Sequence, residues 1–242
     1  MMQTKILFFL LFVSVFLLGG EEGQYVQARK GMVETIEREV GSTSGYLGRE
    51  RLKQSVIDAM GKVPRHRFVP QKRRKYAYEN RPLPIGHGQT ISQPYIVAVM
   101  TDLLDINASS RVLEVGTGSG YQAAILAEIA KEVYTIEVIK ELAATAEKTL
   151  RTLGYKNIRT RIGDGYYGWE AYAPYDAIIV TAASGSIPPP LLKQLKPGGR
   201  MIIPVGGFSR VQHLILVRKD LNGSITTRQI LPVRFVPLTG KH

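Results

Sequence analysis

The chain has 242 residues, 44% hydrophobic and 21% charged, a composition that gives room for one α/β domain with additions and excludes a disordered chain. It has no cysteine, which excludes disulfides, thiolate metal sites and a cysteine nucleophile. The formal net charge is +12, with basic residues gathered between Arg29 and Arg81 and densest at Lys72–Lys75; a solvated face, acidic polypeptides or an anionic membrane account for that at least as well as nucleic acid does, and no zinc pattern, helix-turn-helix or aromatic-interleaved RNA motif accompanies it.

At the N-terminus, Lys5 precedes the apolar run Ile6–Leu18, and Gly19-Gly20-Glu21-Glu22 follows. A basic start, a short apolar core and small residues after it read as a secretory signal. The core is about 13 residues, against the about 20 of a spanning helix. An uncleaved anchor is the alternative, because Gly19-Gly20 only loosely resembles a cleavage site. Residues 1–20 are therefore set apart as a leader, 21–30 as a loose polar spacer, and 31–242 as one domain.

Within that domain, Val33, Ile36 and Val40 recur at helical spacing until Gly41–Gly45 breaks the pattern. A second helix is predicted over Arg49–Met60, with Leu52, Val56, Ala59 and Met60 on one face and Gly61 closing it. Pro64–Pro70 is a proline-bounded turn. Tyr76–Pro94 is rich in Gly and Pro, shows little alternation, and carries no predicted strand. Tyr95–Leu104 reads as a helix with Ile96, Val99, Met100 and Leu103 inward.

From Arg111 onward strands and helices alternate, the signature of a parallel sheet. Strands are predicted at Val112–Val115, Val133–Glu137, Ile158–Ile162, Ala177–Thr181 and Met201–Pro204, and two later ones at His213–Arg218 and Thr227–Val236 flank the turn Asn222-Gly223. Helices are predicted at Tyr121–Ala130, at Lys140–Leu153 with Gly154 as its C-cap, and after Pro188–Pro190. Leu195–Gly199 reads as a sharp turn. The expected fold is α/β, a doubly wound, mostly parallel seven-stranded sheet of Rossmann-like type with N-terminal helical additions.

The chemistry is concentrated at strand ends, where open α/β sheets bind ligands. The first strand carries Glu114 and runs into Gly116, Gly118 and Gly120 before a helix begins. These glycines let a ligand approach the backbone, and the helix start offers free N–H groups. A dinucleotide site needs G-x-G-x-x-G; here Tyr121 occupies the slot of the third glycine, and the pattern E-x-G-x-G-x-G is typical of class I methyltransferases that bind S-adenosylmethionine. Glu137 ends the second strand, where a carboxylate accepts both ribose hydroxyls. Asp164-Gly165 follows the third strand. Taken alone it is equally an Asp-Gly turn, but its place beside the other strand ends favours a contact to the adenine amino group. Thr181-Ala182-Ala183 follows the fourth.

The segment Arg81-Pro-Leu-Pro-Ile-Gly-His-Gly-Gln-Thr-Ile-Ser-Gln-Pro94 closely resembles the signature of the protein-L-isoaspartate O-methyltransferase family, and Val63–Pro70, Val112–Gln122, Pro174–Ala183, Leu195–Arg200 and Val233–Leu238 resemble it as well. The resemblance covers about Gly31 to Thr239. It implies methyl transfer from S-adenosyl-L-methionine to the free α-carboxylate of an L-isoaspartyl residue, the first step in repairing damaged proteins by way of a succinimide. It also implies that Ser92, which matches the family's active-site serine, orients that carboxylate; a helix N-cap is the alternative role for the same residue. By the same resemblance Thr90 and Ile91 line the cofactor pocket with Glu114, Gly116, Gly118, Glu137, Asp164 and Gly165. Thr239 lies near the cofactor, and Val233, Phe235, Val236, Pro237 and Leu238 form the peptide groove.

No metal is implied. The expected partners are isoaspartyl-containing proteins and peptides, with no nucleic acid and no membrane contact beyond the N-terminal segment, and the chain is expected to act as a monomer. An amino-methylating nucleic-acid enzyme would carry an Asn/Asp-Pro-Pro-aromatic run where Thr181-Ala-Ala-Ser-Gly185 stands. A decayed, non-catalytic methyltransferase fold would not be expected to keep the glycines, Glu137 and Ser92. The leader departs from the family, whose members are generally cytosolic, so the expected location is either exported or anchored by the leader, or cytoplasmic as for the family.

Overall fold

The computed structural model describes residues 2–207 and 211–241, with side chains described from Glu22 onward; the apolar run Ile6–Leu18 thus lies outside the described side chains. Helix α1 (Met2–Ser42) is continuous, so the loose spacer expected at 21–30 is helical instead. Its residues are mostly good helix formers without proline, and Tyr25 anchors the stretch by stacking on His66 at 3.9 Å. Ile36 and Val40 are buried as their spacing predicts, whereas Val33 is half-buried and Met32 takes the inward place beside them. Gly41 falls inside the helix, and the break comes at Thr43 before the short α2 (Ser44–Leu47).

Helix α3 (Gln54–Lys62) starts five residues later than Arg49, and Gly61 lies within it. The delay has a tertiary cause. Arg49 pairs with Asp102, and the Lys53 N–H donates to Asp102 Oδ1 at 2.8 Å, which holds the approach to the helix extended. The Pro64–Pro70 turn is a 3-10 segment, Arg65–Phe68.

The Gly/Pro-rich stretch contains a hairpin that periodicity did not predict, β1 (Leu83–Gly86) paired antiparallel with β2 (Gln89–Ile91). Its two-residue turn, His87-Gly88, has both residues at positive φ, 51° and 71°, the geometry that matches strand twist in tight hairpins. Helix α4 (Pro94–Leu103) follows. It is buried nearly all round rather than on one face, and Ile96, expected inward, is only half-buried.

The remaining elements are β3 (Arg111–Val115), α5 (Tyr121–Ala127), β4 (Glu132–Glu137), α6 (Lys140–Thr152), β5 (Ile158–Ile162), β6 (Tyr175–Val180), α7 (Pro189–Gln194), β7 (Leu195–Val205), β8 (Gln212–Lys219) and β9 (Ile225–Val233). Among the described residues they form one seven-stranded sheet in the order β5-β4-β3-β6-β7-β8-β9. The strands from β5 to β7 are parallel, and β8 and β9 run antiparallel. The turn expected at Leu195–Gly199 is absorbed into β7 as a bulge: Tyr175 pairs Leu195 while Ala177 pairs Arg200, with Gly198 at φ 82° inside it. Strand β9 ends at Val233, short of the predicted Val236, and Pro232 sits on this edge strand where its missing N–H is tolerated.

Alternate residues of each strand feed two cores. Val112, Val133, Ala177, Ile179 and Ile202 face the side covered by α1, α3, α4 and α5. Leu113, Tyr134, Ile136, Ile178, Val180 and Met201 face the other side, with Leu191 of α7 and Trp169. The chain order reverses between β3 and β6, so their carboxyl ends open the crevice in which doubly wound sheets bind ligands.

Candidate active site

The floor of that crevice is the loop from β3 to α5. Gly116, Gly118 and Gly120 all have positive φ, at 98°, 53° and 87°. At Gly116 the requirement is also steric, because a Cβ there would run into the Thr181 hydroxyl. Thr181 Oγ1 donates to the Gly116 carbonyl at 2.6 Å, which ties the loop to the end of β6. Glu137, at the end of β4, braces it from the other side. Its Oε2 accepts the Gly118 N–H at 2.7 Å and its Oε1 the Ile139 N–H at 3.0 Å. The carboxylate is thereby fixed, with further acceptor capacity on both oxygens.

The inner cavity over this loop brings together most of the predicted residues. Thr90, Ile91, Ser92, Gly116, Gly118, Glu137 and Gly165 line it, as do Val236, Pro237, Leu238 and Thr239 of the tail. An outer groove is lined by Val233, Phe235, Pro232, Arg234, Gln93 and Ile96, and it shares Thr90, Ser92, Thr181 and Val236 with the inner cavity. Ser92 therefore stands on the wall common to both spaces. It is not a helix cap: Gln93 holds the N-cap position of α4 and Pro94 is the first helical residue. Among the described residues the Ser92 hydroxyl takes no hydrogen-bond partner, while its carbonyl accepts from Arg65 Nη2 at 2.6 Å.

Two expected cofactor residues are not on the cavity wall. Glu114 is fully buried beneath the loop, where Thr135 Oγ1 donates to its Oε2 at 2.5 Å and Thr117 Oγ1 bonds Thr135 at 2.6 Å. Its Oε1 has no partner among the described residues. Burial pushes its pKa up to about 8, offset in part by the Thr135 bond, with Glu137 adding in the upward direction. Glu114 is thus a neutral acid under the floor at neutral pH: it lies two residues on from Val112 in β3, on the same covered face of the sheet. Asp164 Oδ1 accepts the Tyr166 N–H at 3.0 Å, capping a 3-10 turn, and its Oδ2 accepts the Lys241 N–H at 2.8 Å. Its carboxylate thus holds the C-terminal tail, and its neighbour Gly165 is the one that lines the cavity.

The tail is placed by contacts far apart in sequence. Ala183 N–H donates to the Val236 carbonyl at 2.8 Å and the Leu238 N–H to the Ala183 carbonyl at 2.7 Å. The buried Gln212 amide clamps Phe235, its Nε2 donating to the carbonyl at 3.1 Å and its Oε1 accepting the N–H at 2.6 Å. Sequence reasoning named Thr181 at its strand end without giving its hydroxyl a role, and it missed Gln212, Thr117, Ser119 and Ile139. Those four carried no signal of their own, since none ends a predicted strand. His87 sits at the exposed hairpin turn, and Trp169 packs edge-on against Tyr134 at 5.8 Å, so neither enters the site.

Comparison with known proteins gives a consistent picture. The family model for protein-L-isoaspartate(D-aspartate) O-methyltransferase matches residues 46–242. Protein-L-isoaspartate O-methyltransferase 2 of Syntrophobacter fumaroxidans is 63% identical over 225 residues, covering 93% of this chain and 91% of that one. The like-named protein of Polaromonas sp. is 60% identical over 210 residues, covering 87% of this chain and 100% of that one. A solved protein-L-isoaspartate O-methyltransferase aligns with TM-score 0.76 and 28% identity over 88% of this chain and 66% of its own. A Plasmodium falciparum structure described as such an enzyme in complex with S-adenosyl-L-homocysteine shares the fold, with TM-score 0.71 and 24% identity over 87% of this chain and 98% of its own.

Proposed function

The chain belongs to the protein-L-isoaspartate(D-aspartate) O-methyltransferase family, and from that premise we propose that Ser92 orients the acceptor carboxylate where the inner cavity meets the outer groove. The protein is an enzyme that transfers a methyl group from S-adenosyl-L-methionine to the free α-carboxylate of L-isoaspartyl residues in proteins and peptides. When bound, the cofactor supplies a methyl group already activated on a sulfonium sulfur.

The residues of the inner cavity fit such a ligand. The loop Gly116–Gly118 lines the cavity with bare backbone at both glycines, held down by the Thr181 hydroxyl that a Cβ at Gly116 would strike. Glu137 offers a fixed carboxylate suited to a ribose diol, and Ile139 and Val138 give the cavity an apolar wall. Thr90, Ile91, Gly165 and Thr239 complete the enclosure. The acceptor enters from the outer groove, along Val233, Phe235 and Val236, with Pro237 and Leu238 closing the inner side.

A carboxylate is ionised at neutral pH, so the site needs no general base. What the chain contributes is position. The Ser92 hydroxyl donates to one carboxylate oxygen and aims the other into the inner cavity. The short tail strap bonded to Ala183 walls the junction on one side. Thr181-Ala-Ala-Ser-Gly185 in place of an Asn/Asp-Pro-Pro-aromatic run supports a carboxylate acceptor over a nucleic-acid amine. We also propose that the enzyme acts as a monomer and that the apolar Ile6–Leu18 run anchors or exports it, a reading supported by that run and by the basic residue before it.

The observation that carries the Ser92 role is its hydroxyl, unpaired among the described residues, on the wall shared by both spaces. Ser92→Ala should lower kcat for an isoaspartyl peptide by about 10- to 1000-fold and leave S-adenosylhomocysteine affinity by calorimetry unchanged. Activity equal to the parent would remove Ser92 from the mechanism.

A further inference from the structure

Behind Ser92 lies a charge with no counter-ion among the described residues. The side chain of Arg65 is fully buried. Its Nε donates to the Ala77 carbonyl at 2.8 Å and its Nη2 to the Ser92 carbonyl at 2.6 Å. Its guanidinium lies over the Tyr121 ring, 4.8 Å from the centroid, and Tyr121 is the first residue of the helix that follows the glycine loop. Nη1 is buried with no partner among the described residues, and no described carboxylate pairs with the group. Burial lowers its pKa to about 10, so it remains a cation at neutral pH.

An unpaired buried cation is costly. Tying two carbonyls together does not by itself require a charge. The arrangement makes sense if an anion arrives on the far side of the Ser92 segment, and the reaction brings one. We propose that Arg65 is a positioning and specificity-determining residue of the acceptor site: it fixes the Ser92 segment against Ala77 and supplies the positive field that selects an ionised carboxylate over a neutral acceptor.

The field has a kinetic signature. Methyl transfer consumes the carboxylate charge, since an anion and a sulfonium give a neutral ester and a thioether. Attraction to the anion is therefore stronger before transfer than during it, and its loss falls on substrate capture more than on chemistry. A residue that merely filled the core would instead depress stability, cofactor affinity and activity together.

This inference rests on the isoaspartyl reading of the site, and the test separates the two. The full chain is saturated with S-adenosylhomocysteine and titrated with an isoaspartyl peptide and with its α-amide counterpart, alongside Arg65→Gln and Arg65→Lys. The parent should prefer the acid by about tenfold or more, and Arg65→Gln should cut that preference below about threefold. In Arg65→Gln the KM for the isoaspartyl peptide should rise about tenfold or more while kcat changes less, with S-adenosylhomocysteine affinity unchanged. Arg65→Lys, which keeps the charge, should keep the preference. An undiminished preference in Arg65→Gln, or its equal loss in Arg65→Lys, overturns the proposal. Should Arg65→Gln not fold, the parent decides: equal affinity for acid and amide overturns it. A parent that methylates no isoaspartyl peptide at all would instead sink the underlying reading.

Discussion

Glu114 and Glu137 stand at the ends of neighbouring strands, and their surroundings give them different work. Glu137 reaches the cavity and accepts two backbone N–H groups of the loops that frame it. Glu114 faces inward, bonded only through Thr135 among the described residues, and is protonated at neutral pH because burial pushes its pKa to about 8. Its folded pKa lies above the ordinary carboxylate value. Between about pH 4.5 and 8 the unfolded chain gives up this proton while the folded chain keeps it, so stability falls with rising pH by at most about 1.4 kcal/mol per unit from this group. Glu114→Gln, a neutral match for the protonated acid, should remove that slope. Denaturant midpoints followed from about pH 5 to about pH 8 should show the variant gaining on the parent as pH rises; a constant difference would contradict the assignment. Sequence placed Glu114 beside a glycine motif, but motif spacing does not tell which face of a strand a side chain takes. Asp164 takes up the Asp-Gly turn that its sequence also allowed, and its second oxygen holds the tail.

At the scale of elements, the alternation from Arg111 onward was legible because buried parallel strands read as apolar runs and their helices as spaced apolar stripes. Boundaries moved where tertiary contacts intervened, as at α3, whose start yields to the Arg49 and Lys53 bonds with Asp102. The hairpin β1–β2 escaped notice because Pro84 and three glycines or turn residues leave only Leu83 and Ile91 as inward signals. Yet it delivers Thr90, Ile91 and Ser92 to the site. The clamp of Gln212 on Phe235 spans 23 residues and has no sequence signature. Gln212→Met keeps the length and removes both bonds, leaving the Phe235 N–H and carbonyl unsatisfied. It should destabilise the fold by about 1–3 kcal/mol in chemical denaturation and raise the KM for an isoaspartyl peptide more than it weakens S-adenosylhomocysteine binding. If KM is unchanged, the tail is not the wall of the acceptor groove.

The whole molecule divides the work between its two ends. The sheet from β3 to β7 fixes the cofactor side through strand ends that cannot move without breaking the ladder. The segments before β3 and after β9, which pack together only in the fold, bring Ser92 and the tail to the same opening. Net charge of +12 favours encounter with anionic partners over a distance, while the choice of acceptor is made at the junction itself. This junction admits the α-carboxylate that is left free when the backbone runs through the β-carboxyl of an isoaspartyl residue. That selection is tested most directly by offering labelled S-adenosyl-L-methionine and two peptides that differ only in an isoaspartyl or an aspartyl linkage. Base-labile label on the isoaspartyl peptide alone is the predicted result; label on both alike, or on neither, would contradict the account.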